Sequence, residues 1–187
     1  MTDNKYKTMM YCICIVLLLL GAWPVAADDV RVRVDTQQQR LTVLQGDRTV
    51  MTIEDIAIGR YGTTPDKRRG DNMTPLGHFR VGWITDETRF HLFMGLDFPT
   101  SAMAERAYQE GAITKTQWQA IRRAAHTRAV PPQNTPLGGY LGIHGLGKGD
   151  PDMHASYNWT NGCVAVTNEQ IERLAEWVHI GTPVDIE

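Results

Sequence analysis

Cysteine is scarce in this 187-residue sequence: three residues, an odd number. A framework of paired disulfides is therefore excluded as the main source of stability. A charge excess of either sign is also missing. The 19 basic and 21 acidic residues leave a net charge of −2, with no basic stripe and no acidic tail. Nucleic acid is not an expected partner, and a solvating role falls away. Repeats and low-complexity tracts are lacking too, while 42% hydrophobic and 21% charged residues are ordinary for a globular chain. Disordered, collagen-like and coiled-coil architectures are excluded, and the length is that of one domain.

What is present begins with an export signal. Residues 1–27 read as a signal peptide. Lys5 and Lys7 supply the positive start, Cys12 to Leu20 the apolar centre, and Gly21 and Pro24 the helix break. Val25-Ala26-Ala27 then offers small residues for cleavage. The alternative is an uncleaved anchor, because positions 8–27 carry no charge and are about long enough to span a bilayer. Either reading places the body outside the cytoplasm, since the positive end stays inside. Cleavage removes Cys12 and Cys14 and leaves 17 basic against 20 acidic residues. The only thiol left is Cys163.

A lone thiol can be an inert buried hydrophobe, half of an intermolecular disulfide, or a nucleophile. Its surroundings favour the nucleophile. Gly162 leaves room for a substrate backbone to approach the sulfur. Thr167-Asn168-Glu169-Gln170 has the spacing of a capping box. Ile171, Leu174, Ala175 and Val178 then repeat at helical spacing up to Gly181. Cys163 is thus expected on a loop or short strand before a helix, where backbone N–H groups stabilise a thiolate and an oxyanion.

A thiol nucleophile needs a base, and six histidines are available. His144 ends the apolar run from Tyr140 and meets the glycine-rich loop Gly145-Leu146-Gly147-Lys148-Gly149, a rigid edge beside a flexible turn. His154 lies between His144 and Cys163, either lining the cleft or solvated, with solvation the favoured reading. His126 and His179 suit helix ends. The spacings of His144, His154 and Cys163 match no compact zinc motif, so a metal-dependent peptidase is the weaker alternative, and neither metal nor cofactor is expected.

The remaining chain reads as one domain. Val30 to Val34 alternates as a half-buried strand, and Arg40 to Gln45 with Arg48 to Ile53 flanks Gly46-Asp47 as a hairpin. Gly59 to Asn72 is a polar loop whose basic cluster Lys67-Arg68-Arg69 either meets an anionic polymer or is solvated, with solvation the favoured reading. His78 to Thr85, Phe90 to Leu96 and Tyr140 to His144 supply further strands. Ser101 to Glu110 and Thr116 to Arg128 read as helices, the second capped near Thr114 and buried along Trp118, Ile121 and Ala125. This helical insert (98–132), followed by Pro131-Pro132, should lie over the sheet and wall the cleft.

These pieces resemble the L,D-transpeptidase (YkuD-domain) family. The resemblance rests on Ile143-His144-Gly145 followed by Thr160-Asn161-Gly162-Cys163-Val164. Thr74-Pro75-Leu76-Gly77-His78-Phe79 and Gly181-Thr182-Pro183-Val184-Asp185-Ile186 also match, all in family order. The similarity runs from about Val30 to Ile186. It implies a mostly β fold with an α insert: a sandwich or mixed sheet with the C-terminal helix packed on it, at residues 28–187. By resemblance Cys163 is the nucleophile and His144 the base, oriented through the Gly145 carbonyl. Gly162 lies at the oxyanion site, and Trp159, Thr160, Asn161 and His154 contact substrate. Asn161 and Ala165 depart from the family's usual His and Arg or Asn. A branch reading Trp-Thr-x-Gly-Cys, then a hydrophobic residue and Ala-Val, is similar to this chain.

The implied reaction opens the bond between the diamino acid and D-alanine of a peptidoglycan stem through a thioester. A second stem's amine then gives a 3→3 cross-link. Water instead makes a carboxypeptidase or hydrolase, and an outer-membrane lipoprotein lysine is a further acceptor. A periplasmic monomer is expected. A non-catalytic wall-binding module is the competing class.

Overall fold

The Val-Arg alternation at the head of the domain behaves as a period of two dictates. In β1 (Val30–Asp35), Val32 and Val34 are buried while Arg31 and Arg33 face solvent. The computed structural model describes residues 30–187, so the expected signal segment with Cys12 and Cys14 lies outside the described residues. The expected hairpin forms from β2 (Arg40–Gln45) and β3 (Arg48–Ile53), with a bulge between Val43 and Leu44. Two-residue strands β4 (Thr63–Thr64) and β5 (Thr74–Pro75) pair in parallel on their own.

β6 (Gly77–Thr85), β7 (Phe93–Leu96), β8 (Gly142–His144), β9 (Val164–Ala165) and β10 (Pro183–Ile186) complete the main sheet. Its order is β3-β2-β1-β10-β6-β7-β8-β9. The β1/β10 and β8/β9 pairs are parallel and the rest antiparallel, so this is a curled mixed sheet.

The helical insert is α1 (Ser101–Gln109), capped by Thr100, and α2 (Lys115–Thr127), whose Thr114 and Gln117 form a reciprocal capping box. Met103, Ala104, Ala107 and Ile121 join the core. Along α2 the fully buried face passes through Ile121 and Ala124, with Trp118 half-buried. Ala125, expected inside, is exposed, because the next residue on a helix turns about 100° away. A further short helix, α3 (Pro151–Ser156), starts with Asp150 as N-cap and Pro151 in its first turn. Helix α4 (Asn168–Ala175) carries the expected Thr167–Gln170 capping box and buries Ile171 and Leu174 beneath the site.

Two expectations are corrected here. Lys67 is not solvated: it is 4% exposed and ion-paired with Asp71. The insert does not wall the cleft around Cys163, because α1 and α2 bury their apolar faces in the core. Their exposed sides line a separate groove of about 740 Å³. The cleft wall comes instead from the 133–141 segment that follows.

Candidate active site

The site is assembled by the shortest parallel pair in the sheet. β8 and β9 are in register at Ile143 with Val164 and at His144 with Ala165. Strand alternation then carries Cys163, two residues before Ala165, to the His144 face. Both side chains line one cleft of about 500 Å³. Asn168, the first residue of α4, clamps the loop after His144. Its Oδ1 accepts from Gly147 N–H at 2.8 Å, and its Nδ2 donates to Gly147 O at 2.9 Å.

His144 is 1% exposed. Its Nδ1 lies 2.7 Å from the Gly145 carbonyl, which can only accept, so Nδ1 carries the proton and Nε2 is left as the basic nitrogen. Phe90 stacks on the imidazole at 4.0 Å between centroids, and Trp159 meets it edge-on at 5.8 Å. Burial pushes the His144 pKa down to about 4; the Gly145 bond opposes this, and the Arg89 charge adds to it.

Cys163 is half-buried, and its thiol donates to Tyr140 O at 3.7 Å. Burial raises its pKa to about 11, against the pull of a Gly142 backbone contact and the Lys67 charge. A neutral thiol therefore shares the cleft with a neutral imidazole.

The turn before Cys163 is locked by Thr160. Its hydroxyl donates to Cys163 O at 2.7 Å and accepts from Gly162 N–H at 3.0 Å. The Gly162 donor expected to face an oxyanion is thus engaged. Gly162 has φ +126°, and a β-carbon there would lie 2.5 Å from Met73 O and 3.2 Å from Lys67 Nζ. Glycine is needed for these protein neighbours rather than to admit a substrate backbone.

Among the expected contact residues, Trp159, Thr160 and Asn161 line the cleft. His154 does not. It is 7% exposed and sits behind Trp159, its Nδ1 accepting from the indole N–H at 3.3 Å, so the solvated reading is corrected. Arg60 and Arg89 line the cleft with no local signal in the sequence, and Lys67 and Arg69 of the basic cluster, for which solvation is the favoured expectation, line it too. For Lys67 the available signal was the Asp71 four residues on. Among the described residues, no group of three or more His, Cys, Asp or Glu side chains converges as a metal site would require.

The architecture is shared with larger proteins of the bacterial cell. It matches Bd1075 of Bdellovibrio bacteriovorus with a TM-score of 0.54 at 18% identity, covering 86% of this chain and 48% of that one. It matches the helical cell shape determining protein Pgp2 of Campylobacter jejuni with a TM-score of 0.55 at 17% identity, covering 84% and 47%. This chain spans about half the length of these structural neighbours. A comparison with curated proteins returns no match. The fold is that of the L,D-transpeptidases. The chain belongs to the YkuD family, the L,D-transpeptidase catalytic domain, whose profile matches residues 29–186.

Proposed function

We propose that this domain is a cysteine-dependent L,D-transpeptidase acting on peptidoglycan stem peptides in the periplasm, with Cys163 as nucleophile and His144 as base. The observation that carries this reading is the His144 tautomer. With Nδ1 donating to Gly145 O, the unprotonated Nε2 belongs to a ring that lines the same cleft as the thiol.

Because thiol and imidazole are both neutral at rest, the proton leaves as attack occurs, in general-base fashion rather than from a standing ion pair. Sγ bonds to the carbonyl carbon of the diamino acid while His144 takes the thiol proton. The developing oxyanion draws on the Cys163 N–H, since Gly162 N–H is engaged by Thr160. Collapse breaks the bond to D-alanine, whose nitrogen takes the proton from His144, and a thioester remains. An acceptor amine then attacks the thioester, forming the new amide and restoring the thiol. A stem amine gives a 3→3 cross-link, a lipoprotein lysine gives protein attachment, and water gives the carboxypeptidase outcome.

Incubation with muropeptides bearing tetrapeptide stems tests this, with intact-mass analysis of the protein. Acylation of the wild type but not of Cys163→Ala, together with dimeric products, is the expected result. Folded protein that takes up no acyl group from any stem would overturn it in favour of a binding module.

A further inference from the structure

The cleft around Cys163 is lined by four cationic side chains, Arg60, Lys67, Arg69 and Arg89, and by no Asp or Glu. This holds in a chain whose net charge is −2. Outside the cleft, five of the eleven described arginines pair with carboxylates, among them Arg40 with Glu54, Arg68 with Glu110 and Arg106 with Asp66. Within the cleft only Lys67 has such a partner, Asp71. The three arginines are positioned by neutral groups instead. Arg60 Nη2 donates to Asn161 Oδ1 at 2.6 Å and to Trp159 O at 3.3 Å. Arg69 donates to Thr135 O at 3.0 and 2.8 Å and to Asn134 Oδ1 at 2.6 Å. Arg89 lies over the Phe90 ring at 4.7 Å. A carbonyl or a ring face fixes a guanidinium without cancelling its charge, and a fixed guanidinium fork matches the two oxygens of a carboxylate.

We propose that Arg60, Arg69 and Arg89 make this cleft a carboxylate-selecting site, which takes donor peptides bearing a free carboxylate beside the scissile amide and rejects their carboxamides. The proposal rests on the reading of Cys163 as the attacking thiol. Asn161 serves as the bracket that aims Arg60. An incoming carboxylate also offsets the Arg89 charge that weakens His144 as a base, so the correct donor improves the base that acts on it. Recognition and activation are thereby coupled.

Two alkylating agents of equal size test the site without any stem peptide. The thiol first loses its proton to water, and the Sγ thiolate then displaces iodide from iodoacetate or iodoacetamide. The measurement is the ratio of the two Cys163 alkylation rates by intact mass, in wild type and in Arg60→Gln/Arg69→Gln. Both arginines are exposed, so the variant is expected to fold, which circular dichroism checks. The wild type is expected to favour iodoacetate by about tenfold at low salt, with the preference fading as salt is raised and collapsing to near unity in the variant. Equal rates with the two reagents in wild type, or a preference unchanged in the variant, would overturn the proposal. A second arm compares a stem donor ending in a free carboxylate with its carboxamide. A drop of about tenfold in kcat/KM for the amide, absent in the variant, supports the site, and equal use of both donors refutes it. Failure of the transpeptidase reading looks different: neither donor acylates Cys163, while the iodoacetate preference persists.

Discussion

The ring of Phe90 lies flat on the imidazole of His144, 4.0 Å between centroids and 27° from parallel. This stack, with Trp159 edge-on from another side, keeps water from the imidazole, and the loss of hydration disfavours its charged form. The neutrality of His144 is thus a consequence of packing, and it has a cost at low pH.

In the folded protein His144 binds a proton only near pH 4, against about 6.5 when unfolded. Between those values the unfolded chain holds more protons, so stability falls as pH drops from about 6.5 towards 4. The loss amounts to roughly 3 kcal/mol. Urea unfolding at pH 7.5 and pH 4.5 should show this fall, and His144→Gln should remove most of it.

Cys163, raised to about 11, should show no thiolate plateau near neutrality. Its alkylation by iodoacetamide should rise about tenfold per pH unit from pH 6 to pH 9, as the thiolate fraction does. A preformed thiolate–imidazolium pair would give a flat profile over that range. Rates read by intact mass distinguish the two.

The buried Lys67–Asp71 pair sits against the turn that leads into Cys163. Lys67→Met strands Asp71 and should cost about 2–3 kcal/mol, less than a fully buried pair because Asp71 keeps some exposure. It should also slow Cys163 alkylation, since the ammonium favours the thiolate. Adding Asp71→Asn should restore part of the stability but not the reactivity. Chemical denaturation in a double-mutant cycle reads the first effect and alkylation the second.

Gly162→Ala should fail for a backbone reason. Its β-carbon would meet Met73 O at 2.5 Å in a conformation that alanine avoids. A loss of about 3 kcal/mol by thermal or urea unfolding is expected, with acylation abolished even below the melting point.

Asn161→Ala should leave Cys163 alkylation by neutral iodoacetamide nearly unchanged while loosening Arg60 and weakening carboxylate donors severalfold in KM. Asn161→His keeps a ring nitrogen that can accept from Arg60 and should be tolerated. Steady-state kinetics on both variants decides this.

Much of this fold was legible because its cues are local. The Val-Arg alternation, the Gly46-Asp47 turn and the two capping boxes each act over a few residues, and each forms as read. The placement of His144 at a strand end and of Cys163 ahead of a capped helix was legible from the glycines that flank each and from the Thr167–Gln170 spacing. What escaped depends on distance along the chain. Lys67 reads as one of three exposed cations until the fold brings Met73 and Gly162 against it. Arg60 reads as a surface charge until a 101-residue separation closes onto Asn161. His154 looks solvated because its burial depends on Trp159, which shields it through a single indole bond. Ala125 missed by one position, the smallest error a helical phase can carry.

The place of β10 also governs how the chain reaches this state. Pro183–Ile186 is the strand that joins β1 to β6. Without it, β3-β2-β1 and β6-β7-β8-β9 are two ribbons that share no strand pairing. A polypeptide emerging from its N-terminal side therefore cannot close the sheet early, and contacts between distant segments must wait for the last strand to dock. Closure of the sheet rests on the four residues of β10, among the described residues the only strand that pairs with both ribbons.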